Sequence, residues 1–372
     1  MIETKCVVNA KEFQRALEKV LKAAFKKCSI PAFMEAHVKF DGTSCTLTCT
    51  NLELWCRVSI PAQGGQCSFV LTDSRIILSA CKYFSDDSEL EFCYQEDQPP
   101  AVNPTKTDLD GTLTLRCGDK KLCQRVITSE DFPPLQEVTA EYAYTIDPDA
   151  LSKRFERIKY ALSTDTSRPC NCYVKFFDNR IGAVDGYRLA LSRDKSLCVE
   201  EPFYISPEAL KLLPVFDGES CRLSVGKTWA VFDSGTVRLI TRMPEGEGLN
   251  FDAAIPKNYG EARTVDIADF IGSLRYLSEF IRNPDKDPIC FNSGYLSLKN
   301  VRGKYISKLK MEDTPTIAIG FKGRYMLDGL KQFQAKKLES VSMRMSTPFA
   351  PIILSDQDDL AMILPYRLKK SA

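Results

Sequence analysis

The chain holds one histidine, His37, set in an alternating stretch with no second proton carrier beside it. A Ser-His or Cys-His pair would therefore have one candidate base and nothing local to orient it; a satisfied structural histidine is the expectation. No GxSxG elbow, P-loop or HExxH occurs, and no glycine-rich loop is built to cradle a phosphate. The carboxylate pairs Asp86-Asp87 and Asp358-Asp359 fall in turns, where solvation explains them. No CxxC pair occurs among the fifteen cysteines, which are scattered and odd in number. They read as reduced small hydrophobes, and Cys170-Asn171-Cys172 is too tight for a zinc ligand set. No metal, cofactor or enzymatic activity is expected. No apolar run approaches the roughly 20 residues that span a bilayer. The opening MIETKCVVNAKEF lacks the apolar core of a secretion signal. A cytoplasmic chain without a membrane partner is expected. Charge of one sign is not in excess either: 50 Lys and Arg stand against 49 Asp and Glu.

What the chain does have is repetition. Around Leu78, Leu210 and Leu327, apolar residues recur at helical spacing: Leu78/Cys81/Phe84, Leu210/Leu213/Phe216 and Leu327/Leu330/Phe333. A polar turn follows each, then an alternating strand: Leu90/Phe92, Leu223/Val225, Val341/Met343. An earlier unit recurs too. Val8-Asn9, Ile146-Asp147 and Val265-Asp266 each end a strand at a helix-capping residue, with Pro148 at the first helical position of the second copy. Both markers give a period of roughly 115–140 residues, so one domain type is used three times. Between helices the text alternates, as in His37–Phe40, Cys45–Cys49 and Trp229–Phe232, which predicts half-buried antiparallel strands. The fold class is α+β. Each repeat is a sheet with two helices on one side, and the domains are 1–137, 138–259 and 260–372. Residues 96–111 are rich in Pro, Asp and Thr and read as a mobile hairpin loop.

The charge that nets to +1 is unevenly placed. Lys11, Arg15, Lys19, Lys22, Lys26 and Lys27 crowd the first helix and the turn after it; Lys153, Arg154, Arg157 and Lys159 crowd its counterpart in the second repeat. A solvated helix face explains one such stripe. Recurrence at equivalent places fits a surface that holds a polyanion.

Two motifs point to a family. Asp185-Gly186-Tyr187-Arg188-Leu189-Ala190 resembles the TDGHRLA segment of the bacterial replicative sliding clamp, the β subunit of DNA polymerase III. The ending Leu364-Pro365-Tyr366-Arg367-Leu368 resembles that family's C-terminal MPMRL. Ile30-Pro31, Thr50–Leu54, Asp131-Phe132-Pro133, Ile319-Gly320-Phe321 and Tyr325–Asp328 follow in family order, so the resemblance covers nearly the whole chain. It implies three clamp domains with sheets outside and helices inside. Two chains would join head to tail into a six-domain ring around duplex DNA, held without regard to sequence. The implied partners are a second copy, the DNA polymerase III catalytic subunit and a clamp loader, and the implied place is the nucleoid. A three-repeat chain with open sheet edges at both ends agrees with closure into a ring.

Carried over by position, the resemblance assigns sites. The partner-peptide pocket takes Gly186, Tyr187, Arg188 and Leu189, with Asn171 and Leu249 on one side. Tyr325, Phe349, Met362, Ile363 and Leu364 form the other wall, and Pro365, Tyr366, Arg367 and Leu368 the C-terminal run. Lys22, Lys26, Lys27, Arg154 and Arg157 face DNA, and Leu122, Phe280 and Ile281 sit at the dimer seam. Partner peptides of the family are short, led by Gln and ending in apolar or aromatic residues. This chain departs from the family at Tyr187 (commonly His), Val184 (commonly Thr) and Asn171 (a pocket leucine). Residues 249–256 lose two arginines, and Lys369 to Ala372 extend past the usual end. With Asn171 making the groove more polar and Ala253 making it emptier, an altered peptide preference is expected. Two other readings stay open on the residues alone. One is a scaffold that keeps the pocket without a ring; the other is a hydrolase on a repeat fold. Oligomeric mass and DNA topology separate the first from a ring, and an activity screen would have to support the second.

Overall fold

The structure, a computed structural model, describes residues 3–85, 88–96, 109–257, 260–311, 314 and 316–368. Asp86-Asp87, most of the expected 96–111 loop and the Lys369 to Ala372 extension lie outside the described residues. Within them are seven α-helices: α1 (Ala10–Val20), α2 (Ser74–Cys81), α3 (Pro148–Ile158), α4 (Pro207–Leu212), α5 (Phe251–Ala254), α6 (Ile267–Ser278) and α7 (Gly323–Gln334).

Each third opens with a strand that stops at an Asx residue. Asn9 Oδ1 accepts the amides of Lys11 and Glu12 at 2.9 and 3.0 Å. Asp147 Oδ1 accepts that of Asp149 at 3.0 Å, and Asp266 Oδ1 that of Asp269 at 2.8 Å. Each bond satisfies an amide that the first helical turn leaves open, worth about 0.5–2 kcal/mol. The strand before the first helix of each third then pairs, antiparallel, with the strand after the second. Val8 faces Leu90, Ile146 faces Cys221 and Val265 faces Val341. The threefold repetition seen in the sequence is thus repeated in the strand register.

The chain divides into two compact units, Met1–Asp149 with Glu208–Met243, and Ala150–Pro207 with Pro244–Ala372. The first contains one thirteen-stranded sheet. In it Val237–Arg242, from the second third, pairs with Leu54–Pro61 from the first. The second contains an eight-stranded sheet in which Arg188–Arg193 pairs with Asp359–Ile363, and a four-stranded sheet with Gly303–Lys308 at one edge. Every pairing among the described strands is antiparallel, as expected of half-exposed sheets. Consecutive thirds are therefore joined by continuous sheet, and each joint lies inside one unit.

The helices cover the sheets with aromatic side chains. In the first unit Phe13 of α1 meets Phe92 edge-on with ring centres 5.1 Å apart, and Phe40 lies 5.1 Å from the same ring. In the second, Phe270 and Leu274 of α6 share a core with Met326, Leu330 and Phe333 of α7. Two expectations change. On α2, Ile77 and Cys81 are buried while Leu78 is only half-buried, and Phe84 lies beyond the helix. The helix is short, and its apolar face turns one residue earlier. The alternation expected at Cys45–Cys49 and Trp229–Phe232 gives way to continuous burial: Trp229–Asp233 is buried from Ala230 to Phe232, and Ser44–Thr50 from Cys45 to Thr50. Thr46 and Thr48 are central in the sheet, in register with Lys39 and Ser59, and with His37 and Arg57. Longer neighbours on the same face screen them from water.

His37 sits where its ring is satisfied. Its Nε2 is 2.8 Å from Ser68 Oγ, and its ring stacks on Phe132 at 4.8 Å. Burial, aided by Lys39 and Arg57, lowers its pKa to about 4. The folded state then binds this proton less readily than the unfolded chain between about pH 6.5 and 4. Stability is expected to fall by about 3 kcal/mol as pH drops through that window. A His37→Gln variant should lack this part of the acid sensitivity in urea titrations at pH 7 and pH 4; an unchanged difference between the two pH values would contradict the assignment.

Candidate functional site

The site begins at a tight turn, and each residue of Asp185-Gly186-Tyr187-Arg188 has a physical task. Asp185 Oδ1 accepts the amides of Tyr187 and Arg188 at 2.9 and 3.0 Å, an Asx turn that starts the strand Arg188–Arg193. Gly186 has φ +89°, the left-handed region that penalises side chains. Arg188 is 9% exposed. Its Nε donates to Asp185 Oδ2 at 2.8 Å and its terminal nitrogen to Asp328 Oδ2 on α7 at 2.6 Å. Its guanidinium lies 4.5 Å from the Tyr325 ring and 5.3 Å from that of Tyr160. Burial opposes the charge, but the two carboxylates outweigh it and raise the Arg188 pKa. Tyr187 keeps 58% of its surface exposed and stacks on Tyr325 at 6.1 Å. Lys322 stands 5.5 Å from both rings, and its Nζ is 2.7 Å from Asp285.

The C-terminal segment is fastened beside this turn. In the pairing of Arg188–Arg193 with Asp359–Ile363, Leu189 faces Met362 and Arg188 faces Ile363. Leu364 then donates its amide to Tyr187 O at 2.9 Å. Tyr366 donates its amide to Gly320 O at 2.7 Å and its hydroxyl to Asp285 O at 3.0 Å. Gly320 leaves the room for this crossing, since a Cβ there would lie 2.7 Å from Leu368 Cδ2.

Between the turn and the loop after residue 244 lies a cavity of about 630 Å³, wholly within the second unit. Asn171, Gly186, Arg188, Leu249, Met362 and Leu364 line it. Tyr187 and Tyr325 stack beside Arg188 without lining it. Leu189 is buried in a small core with Phe177, Phe251 and Met362, whereas Ile363 points into the separate α6–α7 core. Pro365, Tyr366, Arg367 and Leu368 also lie off the lining, and Phe349 is 74% exposed away from it. Val184, one of the positions of departure from the family, lines the cavity as well, together with residues the sequence did not point to: Arg168, Pro169, Cys170, the run Glu245 to Gly248, and Ala254 in place of the exposed Ala253. Lys175 donates to Leu249 O at 2.9 Å and holds this loop, and Asn250 caps α5 by accepting the Ala253 amide at 3.1 Å. Phe251 of α5 packs against Gly182, where any Cβ would collide with its ring. Leu249 and Phe251 hinted at the loop; nothing in Glu245 to Gly248 marks it as a wall.

The basic residues sort into two kinds. Lys22, Lys26 and Lys27 are exposed. Arg154 and Arg157 are tied down: Arg154 pairs with Asp194 at 3.1 Å, and Arg157 with Asp359 at 3.0 Å and Ser192 at 3.1 Å. The Asp359 carboxylate is fully buried and also takes Lys336 at 3.2 Å. Their charge is largely spent on internal partners.

Of the expected seam residues, Leu122 is half-buried on the strand Lys120–Thr128. That strand pairs along its length with Leu109–Cys117; among the described residues its other side pairs at Ile127 and Thr128, with Val70 and Phe69, and Arg125 O accepts from the Thr72 hydroxyl at 2.7 Å. Phe280 and Ile281 follow α6. Phe280 stacks on Tyr305 at 3.9 Å, and Ile281 packs against the α6–α7 core. Tyr305 belongs to the edge strand Gly303–Lys308, which exposes 49% of Ile306.

No protein-family model matches the chain. It is, however, similar along its length to the β sliding clamp of Streptococcus pneumoniae serotype 4, at 22% identity over 97% of this chain and 98% of that protein. The β sliding clamp of Bacillus subtilis strain 168 is 20% identical over 95% of this chain and 96% of its own. From end to end, then, the sequence is similar to β sliding clamps. Solved clamps share its fold. The Bacillus subtilis DNA polymerase sliding clamp superposes with a TM-score of 0.82 at 18% identity, over 99% of this chain and 100% of that one. The DNA polymerase III β chain of Streptococcus pneumoniae gives 0.81 at 21%, over 98% and 100%. The three-domain α+β clamp fold accounts for the threefold strand register. Among the described residues no helix is long and apolar enough to cross a membrane, and no group of acidic, Cys and His side chains is arranged to hold a metal.

Proposed function

We propose that the chain is a DNA processivity clamp whose repeats 1–137, 138–259 and 260–372 form half of a six-domain ring. The first repeat of one copy meets the third of its partner, and duplex DNA passes through the ring. The DNA polymerase III catalytic subunit and a clamp loader dock by short peptides in the cavity beside Arg188. The role needs no catalysis: DNA is held by enclosure and the polymerase by its tether. End-to-end likeness to sliding clamps carries this reading. Two strand edges support it, residues 120–124 in one unit and Gly303–Lys308 in the other: among the described residues neither has a strand on its outer side, and edges of this kind join readily across copies.

Solution mass tests it: twice the 41.8 kDa of one chain is expected. Phe280→Ala with Ile281→Ala should give monomers, removing roughly 2–5 kcal/mol per large side chain. Both residues also pack inside their own repeat, so Ile306→Asp is the cleaner variant. It places a charge on the exposed edge and should split the dimer with little change in melting temperature. A full-size dimer from Ile306→Asp would overturn this seam; a wild-type monomer at micromolar concentration would overturn the ring.

A further inference from the structure

All fifteen cysteines are free, and one pair of them is placed to react. In the first unit the strand Glu3–Asn9 pairs on one side with Glu89–Glu96 and on the other with Gln63–Gly64. The chain then passes through Gly65 into Gln66–Val70, which pairs with His37–Asp41. Gly64 has φ +133°, and a Cβ there would collide with the Lys5 carbonyl oxygen. Gly65 donates its amide to that same oxygen at 2.9 Å. This close backbone approach puts Cys6 against Cys67, with sulfurs 3.9 Å apart, and the Cys6 thiol donates to Gly65 O at 3.4 Å. A third thiol, Cys45, is close enough that Cys6 and Cys67 add to the burial that pushes its pKa up. Cys6 is buried, whereas Cys67 is half-buried and reachable from solvent.

We propose that Cys6 and Cys67 are a modification site: a disulfide closed by a small peroxide and reopened by a thiol reductant. At 3.9 Å the sulfurs are in van der Waals contact, and a bond of about 2.0 Å needs side-chain rotation more than backbone movement. The Cys67 sulfur attacks hydrogen peroxide; the O–O bond breaks, a sulfenic acid forms, and the released hydroxide takes the thiol proton as water. The Cys6 sulfur then attacks the Cys67 sulfur, the S–OH bond breaks, and hydroxide leaves with the Cys6 proton as a second water. Two thiols and one peroxide thus give one disulfide and two waters. Burial pushes both thiols up, so few thiolates exist at neutral pH and closure answers sustained rather than brief oxidation. The bond would tie the strand that leads into α1 to the interior of the sheet. The proposal does not depend on the ring.

The test exposes the full-length protein to hydrogen peroxide, blocks remaining thiols, digests it and maps linked peptides by mass. The expected product links Cys6 to Cys67, is lighter by two hydrogens and is reversed by dithiothreitol. Exposed Cys123 and Cys198 serve as internal controls that oxidant was present. The linked protein should also be cleaved by thermolysin roughly tenfold or more slowly, because a cross-link enclosing a long loop disfavours opening. Cys67→Ser should lose both effects, with Cys67→Ala as the alternative should the serine disturb folding. A link from either residue to Cys45, irreversible Cys67 sulfonic acid without a link, or intact thiols at both positions after Cys123 and Cys198 are fully oxidised would each overturn the proposal.

Discussion

Placed on nicked circular DNA by a clamp loader, the protein is expected to stay with the circle through gel filtration and to be lost once the circle is cut. Sequence-independent contacts to phosphates give dissociation constants of about 10⁻⁴–10⁻⁶ M at physiological salt. With association near 10⁷ M⁻¹s⁻¹, such contacts alone last about 0.1 s or less. Persistence for minutes therefore has to come from enclosure. The direct contacts should show in the salt dependence of binding. Neutralising Lys22, Lys26 or Lys27 should lower the log–log slope by about 1 each. Arg154→Ala and Arg157→Ala should change the slope less and the stability more, because these side chains hold Asp194 and buried Asp359. Equal retention on linear and circular DNA would contradict the ring.

That contrast between lysines and arginines marks how far the sequence could be read. Helical spacing and Asx caps are local signals, so the recurring strand-to-helix starts and the three-repeat plan are legible. The stripe on the second repeat is legible as charge but not as free charge. The partners of Arg154 and Arg157 lie 40 and 202 residues away, and no pattern announces them. The same limit holds at the cavity. The turn at Asp185 to Arg188 carries its own chemistry in four consecutive residues, but the opposite wall is made by Glu245 to Gly248. Those residues reach the site only because Lys175, Cys170 and Phe251 hold the loop in place. Neighbouring residues of one stretch also face different ways: Met362 and Leu364 line the cavity while Ile363, between them, belongs to the core. Strand alternation predicts that split, and a position-by-position resemblance hides it.

It also decides how the cavity should be tested. Removing Ile363 onward would empty a core position and break the Tyr366 crossing, so lost binding could mean lost folding. Leu364→Asp is sharper, since Leu364 is 37% exposed and lines the cavity. An apolar anchor at an interface centre is worth about 2 kcal/mol or more, so peptide affinity should drop at least about thirtyfold with the dimer mass unchanged. Arg188→Met should cost more. It leaves Asp185 and Asp328 without their shared cation, and breaking a buried pair this way costs about 3–5 kcal/mol. Part of that loss is folding and part is binding. Adding Asp328→Asn should recover melting temperature but not peptide affinity, if Arg188 meets the peptide itself. Fluorescence anisotropy with a panel of short peptides reads both variants, and it reads the altered preference as well. Asn171, Arg168 and the run Glu245 to Gly248 bring polar groups to the cavity, and Ala254 lines it with a small side chain. The preferred peptide should therefore keep an apolar tail, larger than usual where it meets Ala254, and carry a polar side chain toward Asn171. Equal affinity for the usual clamp peptide and every variant would refute a remodelled cavity. Failure of every clamp-type peptide to bind would remove the docking role itself, while retention on circular DNA would still stand as evidence for the ring.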